Sequence, residues 1–439
     1  MTHSRRSVQL ISTLLLTVAA GCAKPLVNLT DFNGDGGNSE SGTDGASTGE
    51  PTSGGSEPTT GVPAGCPEGQ EHLAPLWTVE FSPQGSSFGF HSGKGPIGRM
   101  ADGRIVVAMS FDLATDKKGI SLLVVTPEGE LLAPTESTLG PNGAEPYVLR
   151  IGPDDQPLLL GGHFDGEGEG PVSGLTRFAS DLAPLSEVEL AFPTLGPGIV
   201  EPTMALAGDA VVVAGFDAVS KQMRVAKLAP DTGVPAWQVG LAGPEDMWVR
   251  AVAVGPQGDV AVAAHADVGF GDDDTLRLWR FDSDGGLVWE RVITVPEYED
   301  VTALHFAPDD QIVVLRGTTE FTARVELLSV EVDSGATRWA LTVAEPEGEM
   351  TAWAQDMLID ADGFTVPVSR SRGHHDGATS MHTFEVREVS FAGELLAVTP
   401  LPSVYPGGGI SWMRSVRGRC GELILVEEYA SLRILAFAP

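Results

Sequence analysis

Basic residues are scarce in this chain. In 439 residues, 27 Lys and Arg stand against 60 Asp and Glu, a formal net charge of −33. That balance excludes nucleic acid as a partner, because binding there depends on neutralising phosphates with cations. It also disfavours docking on an anionic lipid surface. There are only three cysteines, at 22, 66 and 420, an odd number for a secreted chain until Cys22 is set aside and Cys66 and Cys420 remain as a pair. The motifs G-x-S-x-G, H-E-x-x-H, C-x-x-C and the P-loop are all missing. Long segments with a 3.6-residue apolar period are absent too, which argues against helices as the main building element.

What is present begins with an address. MTHSRRSVQLISTLLLTVAAGC has a basic start at Arg5 and Arg6, an apolar run from Val8 to Ala20 and small residues before Cys22, the layout of a cleaved export signal. The apolar run is too short to remain as a membrane-spanning helix. Ala19-Ala20-Gly21-Cys22 resembles a bacterial lipobox, which implies lipidation of Cys22, and Ala23 after it suggests passage to the outer membrane. Residues 22–65 then form a Gly/Ser/Thr/Pro-rich tether with too little apolar surface to offset the entropy of ordering. Inside it, Asp31-Phe32-Asn33-Gly34-Asp35-Gly36 imitates the start of a calcium loop, but Gly42 stands where the twelfth-position Glu is required.

From residue 66 to 439 the chain repeats. Apolar runs start at 104, 157, 210, 260, 312, 364 and 422 (RIVVAM, PLLLGG, AVVVAG, VAVAAH, IVVLRG, FTVPVS and ELILVE). Each is Val/Ile/Leu-rich and bounded by turn residues, as in strands. Around each run lie an alternating segment before it, another after it, a Gly/Asp hairpin such as Ser283-Asp284-Gly285-Gly286, and a closing strand that often carries Trp. Four short strands in units of roughly 50 residues predict an all-β fold, a seven-bladed β-propeller. The last unit supplies three strands and stops at Pro439, whereas LAPLWTVEFS, residues 73–82, has the closing-strand pattern and no unit of its own. Residues 73–82 are therefore expected to complete the last blade and remove its exposed edge. That closure brings Cys66 towards Cys420, and a disulfide between them would stabilise the ring by roughly 5 kcal/mol at most on the chain-entropy model.

The units resemble quinoprotein-type (PQQ-like) propeller repeats of exported bacterial lipoproteins, on the strength of Gly208-Asp209-Ala210-Val211-Val212-Val213-Ala214-Gly215 and Gly285-Gly286-Leu287-Val288-Trp289. The resemblance implies the fold and not the chemistry, since such rings serve as enzymes, assembly factors and binding scaffolds alike. The adjacent Cys-Cys pair expected of a quinoprotein dehydrogenase is missing. Trp77, Trp237, Trp289 and Trp339 fall on outer strands and are expected to pack between blades, while Trp248, Trp353 and Trp412 stand nearer the channel mouth.

Candidate ligand groups are mostly carboxylates. Glu145, Glu201, Asp246, Asp300 and Glu349 lie in the loops between units, and Asp112, Asp165, Asp217 and Asp267 at the exits of the apolar strands, all on one expected face. Converging carboxylates would suit Ca²⁺ or a cationic partner; dispersed ones would be turn devices bonding nearby backbone N–H. His374, His375 and Asp376 form the one local cluster with metal-ligand chemistry, and as neighbours in a loop they need a further ligand from elsewhere. The expectation is a lipid-anchored envelope scaffold with no cofactor, taking a protein or glycan partner. The alternative is a calcium-dependent hydrolase, lyase or oxidoreductase on the acidic face.

Overall fold

The structure is a computed structural model. It describes residues 71–81, 88–89, 96–112, 118–132, 135–137, 144–163, 172–194, 202–217, 220, 222–241, 247–266, 274–295, 299–318, 324–348, 350–372, 382–402, 412–428 and 432–439. The chain divides into two units, Met1–Thr60 and Gly61–Pro439. Every described residue belongs to the second; the signal sequence, the tether, Cys22 and Cys66 lie outside the described residues.

The described elements are strands gathered into seven antiparallel sheets, each a blade. Blade 4 shows the plan: strand a (Met247–Val254) lines the centre, b (Val260–Ala266) and c (Asp274–Phe281) follow, and d (Leu287–Val295) is outermost. The apolar run forms strand b because both its faces are covered by neighbouring blades; all seven residues from Val260 to Ala266 are buried. Strand d alternates exposed and covered residues, as an outer strand with one wet face must. The hydrophobic core is correspondingly divided into seven clusters, one at each junction between neighbouring blades. Side-chain packing across each junction buries what a lone four-stranded sheet would expose.

Residues 73–81 behave as the sequence requires; Ser82 lies outside the described residues. Pro75–Phe81 is strand d of blade 7, antiparallel to Leu432–Phe437, with Trp77 opposite Ala436, Val79 opposite Ile434 and Phe81 opposite Leu432. Strands a (Trp412–Arg417) and b (Leu423–Glu428) complete that sheet. The N-terminal and C-terminal ends meet in a pseudo-turn: Leu73 N–H donates to the Ala438 carbonyl and Ala438 N–H to that of Ala74.

A recurrent joint links the blades. The indole N–H of Trp77 donates to the Pro127 carbonyl in blade 1, that of Trp237 to Ser283 in blade 4, that of Trp289 to Val332 in blade 5 and that of Trp339 to Phe391 in blade 6, at 2.6–3.1 Å. Each acceptor lies in the c–d region of the next blade. The glycine of that turn lies under the ring: a Cβ on Gly285 would lie 2.7 Å from the ring of Trp237, and one on Gly393 2.5 Å from that of Trp339. Both glycines have positive φ, 86° and 82°, so the turn and the ring impose the same residue. The expected inter-blade role of these four tryptophans is thus met.

Two innermost strands are split, which sequence pattern did not indicate. In blade 1, Phe88–Gly89 and Ile97–Arg99 both pair with Ile105–Asp112; in blade 6, Met350–Trp353 and Leu358–Ile359 both pair with Gly363–Arg372. In blade 6 the break carries Asp356 to the centre of the ring.

Candidate functional site: the central channel

Innermost strands of all seven blades surround a central cavity of about 560 Å³. Its lining is about as polar as it is apolar, with apolar residues such as Val252 and Leu304 among those that surround it. Also lining it are Arg99 from blade 1, Arg150 from blade 2, Arg250 from blade 4 and Arg414 from blade 7, together with His305 from blade 5 and Asp356 from blade 6.

The carboxylate of Asp356 is held by blade 7: its Oδ2 accepts from the Ser415 N–H at 3.0 Å and from the Ser415 hydroxyl at 3.1 Å, and its Oδ1 from the Met357 N–H at 2.9 Å. Arg150 donates to the Leu149 carbonyl at 2.9 Å. Burial pulls the Arg150 guanidinium below its ordinary pKa, and the charge of Asp356 offsets part of that cost. His305 is also held low, first by burial and also by the charge of Arg150, against the opposing pull of Asp356 and a hydrogen bond to the Met357 backbone. Arg250 pairs with Asp300 at 2.8 Å and lies 5.2 Å from the ring centre of Trp248, a cation–π contact. Arg414 donates to the Gln355 carbonyl, and Arg99 to that of Gly418 at 3.4 Å.

The sequence-chosen carboxylates fare differently. Asp217 is buried, pairs with Arg224 at 2.9 Å and accepts from the Ser220 hydroxyl at 2.7 Å within its own blade. Asp300 joins blade 5 to blade 4 through Arg250. Glu145 is half-buried at the start of strand a of blade 2. Asp112 ends strand b of blade 1, opposite Lys118, and its side chain is not described. Glu201, Asp246, Glu349, Asp165 and Asp267 lie outside the described residues, as do His374, His375 and Asp376. Among the described residues, three or more His, Cys, Asp or Glu side chains nowhere gather as they would to hold a metal. Cys420 stands in the turn between strands a and b of blade 7.

Of the rim tryptophans, Trp248 meets buried His265 edge-on at 6.3 Å between ring centres, and the Trp353 indole donates to Thr351 Oγ1 at 2.8 Å. Trp412 lies in strand a of blade 7, with its side chain not described.

The fold is a seven-bladed β-propeller. Among solved structures, the propeller is similar to hydrazine synthase of Kuenenia stuttgartiensis, at 12% identity over 78% of this chain and 95% of that one, with a TM-score of 0.50. The β-propeller domain of the trilobed protease from Pyrococcus furiosus is similar at 8% identity over 81% and 94%, TM-score 0.46. A protein of unknown function from Dyadobacter fermentans is similar at 14% identity over 72% and 99%, also TM-score 0.46. Identities this low speak for the fold alone. No family model matches the propeller chain, and no curated protein matches it.

Proposed function

We propose that the chain is a non-catalytic binding scaffold of the bacterial envelope, held to the outer membrane by lipid on Cys22, with a propeller face that takes a protein or glycan partner. The observation that carries this reading is the state of Asp217 and Asp300. Both acidic-face carboxylates are committed to arginines of the framework, at 2.9 and 2.8 Å. A carboxylate so held serves the joint between strands or blades and has to break that pair before it can coordinate an ion taking six to eight oxygens. We read the repeat as quinoprotein-type, supported by the use to which the structure puts its G-x-x-x-W pattern: the glycine receives one blade's tryptophan and the tryptophan reaches the next blade. We also read Cys66 and Cys420 as a disulfide, supported by Cys420 being disulfide-bonded and lying in the blade that the N-terminal strand completes.

Calorimetric titration of the full chain with calcium separates this from the calcium-dependent enzyme. The expected trace is flat, with an unchanged melting temperature in the presence of a chelator. Saturable calcium heat with a rise in melting temperature would favour the enzyme.

A further inference from the structure

The charged groups of the channel are engaged within the protein. The charge of Asp356 offsets part of the cost of burying Arg150, and Asp300 pairs with Arg250 at 2.8 Å. Arg99 is exposed at the turn end of its strand, and Arg414 is bonded to the Gln355 carbonyl. His305 is neutral near neutral pH, because burial holds its pKa below the ordinary value. What such a lining offers a ligand is a set of fixed hydrogen-bonding groups more than a field of one sign.

Those groups are of both kinds. Arg150 and Arg250 are donors. Asp356 is an acceptor whose Oδ1 takes one bond, from the Met357 N–H, and a carboxylate oxygen has room for a second. A neutral imidazole that donates one N–H to the Met357 backbone keeps its other nitrogen as an acceptor, and His305 is in that state. Thr302 lines the cavity from the same strand as His305, and its buried Oγ1 has no hydrogen-bond partner among the described residues. A hydroxyl buried unbonded is unfavourable, and a ligand hydroxyl at that place would relieve it. Along an extended strand Thr302 and His305 are separated by roughly 10 Å, so the polar groups are spread down the axis. Leu304 and, from blade 4, Val252 add apolar surface to the same cavity.

Donors and acceptors interspersed with apolar surface match a sugar, whose hydroxyls each give and accept a bond, whose ring faces are C–H, and whose charge is zero. A cavity of about 560 Å³ has room for more than one such ring. We propose that the central channel is a binding site for a short neutral oligosaccharide, held by hydrogen bonds from Arg150 and Arg250 and to Asp356, His305 and Thr302. The site rests on the scaffold reading and deepens it: the glycan partner is held in the channel intact and not cleaved.

Calorimetry of the full chain with maltotriose, cellotriose and triacetylchitotriose tests this. One-to-one saturable binding of at least one of them is expected, with an affinity that does not fall as sodium chloride is raised. T302V removes the hydroxyl and nearly keeps the shape, so it should weaken binding about tenfold while the melting temperature stays level or rises. A damaged fold would lower both. H305L replaces T302V should that variant not fold, and the same loss is expected. Absence of saturable heat with all three sugars, equal affinity in wild type and variant, or a steep loss of affinity with salt overturns the channel site and leaves the scaffold reading standing. Chromatography of the titrated sugar tests the other part: cleavage products would overturn the non-catalytic reading and leave the site standing.

Discussion

At the scale of the residue, the clearest lesson is that the tryptophans and glycines are chosen in pairs across blade junctions. Where the donor blade has Trp, the receiving turn has Gly: Trp77 with Gly129, Trp237 with Gly285, Trp289 with Gly335 and Trp339 with Gly393. In sequence, Ala397 of blade 6 and Ala133, which follows the blade 1 hairpin and lies outside the described residues, align with the Trp position. The turns that follow them carry Leu73 and Leu182, at φ 57° and 69°, both buried. A leucine in that backbone region costs about 1–2 kcal/mol, which burial of its side chain offsets. The pairing predicts that Gly393→Ala destabilises the protein by about 1–3 kcal/mol in urea unfolding, through overlap with Trp339 and a strained φ. In a Trp339→Ala background the same change should cost distinctly less, because only the backbone penalty remains. Equal costs in the two backgrounds would show that the ring is not what excludes the Cβ. The tryptophans were legible as packing residues from their outer-strand position. Their partners were not, because the glycines also satisfy ordinary hairpin chemistry, which gives no hint of a second constraint.

At the scale of the element, strands b and d followed directly from apolar runs and Trp-bearing alternation, whereas the split innermost strands of blades 1 and 6 had no local signal. A break in pairing that leaves the side chains in an acceptable environment changes no pattern of polarity. Blade 7 shows a further departure. Glu427 on strand b and Arg433 on strand c are cross-strand neighbours, both about 5% exposed, with 3.5 Å between charged atoms. Burial raises Glu427 to a pKa of about 7, only partly countered by Arg433. The folded protein therefore binds a proton here that the unfolded chain releases at the ordinary value near 4.5. Stability from this group is full below about pH 4.5 and is lost as pH rises through about 7, an effect of up to about 3 kcal/mol. Asp360, at the junction with blade 6, has the opposite sign: burial pushes it up, but bonds from Arg417 and Thr365 more than reverse this, so its contribution is lost only at acid pH below the usual carboxylate range. Urea unfolding of Glu427→Gln should accordingly lack the decline expected of the wild type between pH 5 and 8. A decline of the same size in the variant would assign it to other groups.

At the scale of the whole molecule, closure of the ring by residues 73–82 was readable from a surplus closing strand at one end and a missing one at the other. The channel was not readable, even though every residue in it belongs to a recognisable unit. Arg99, Arg150, Arg250 and Arg414 occupy different positions in their respective strands, so superposing the repeats never brings them into one column; only the closed ring does. The acidic loops dominated the charge read from sequence because they are numerous, while the interior is set by a few residues contributed singly from separate blades. For the chain as a whole, peptide mapping by mass spectrometry without reduction, on protein extracted from membranes, should return a Cys66–Cys420 linked pair and an acylated N-terminal peptide beginning at Cys22. Free thiols at both 66 and 420, or an unmodified N-terminus, would remove those parts of the reading.

The joint between blades also has a direction, since each tryptophan reaches forward into the following turn and never back. A unit copied or moved by recombination is therefore not interchangeable with every other. A blade whose turn carries glycine fits behind a Trp-bearing neighbour, whereas one carrying leucine fits only behind a neighbour with a small residue at that place. The pattern changes at three of the seven junctions: the two with leucine, before blades 2 and 7, and the one before blade 3, where Gly233 meets Val188 instead of a tryptophan.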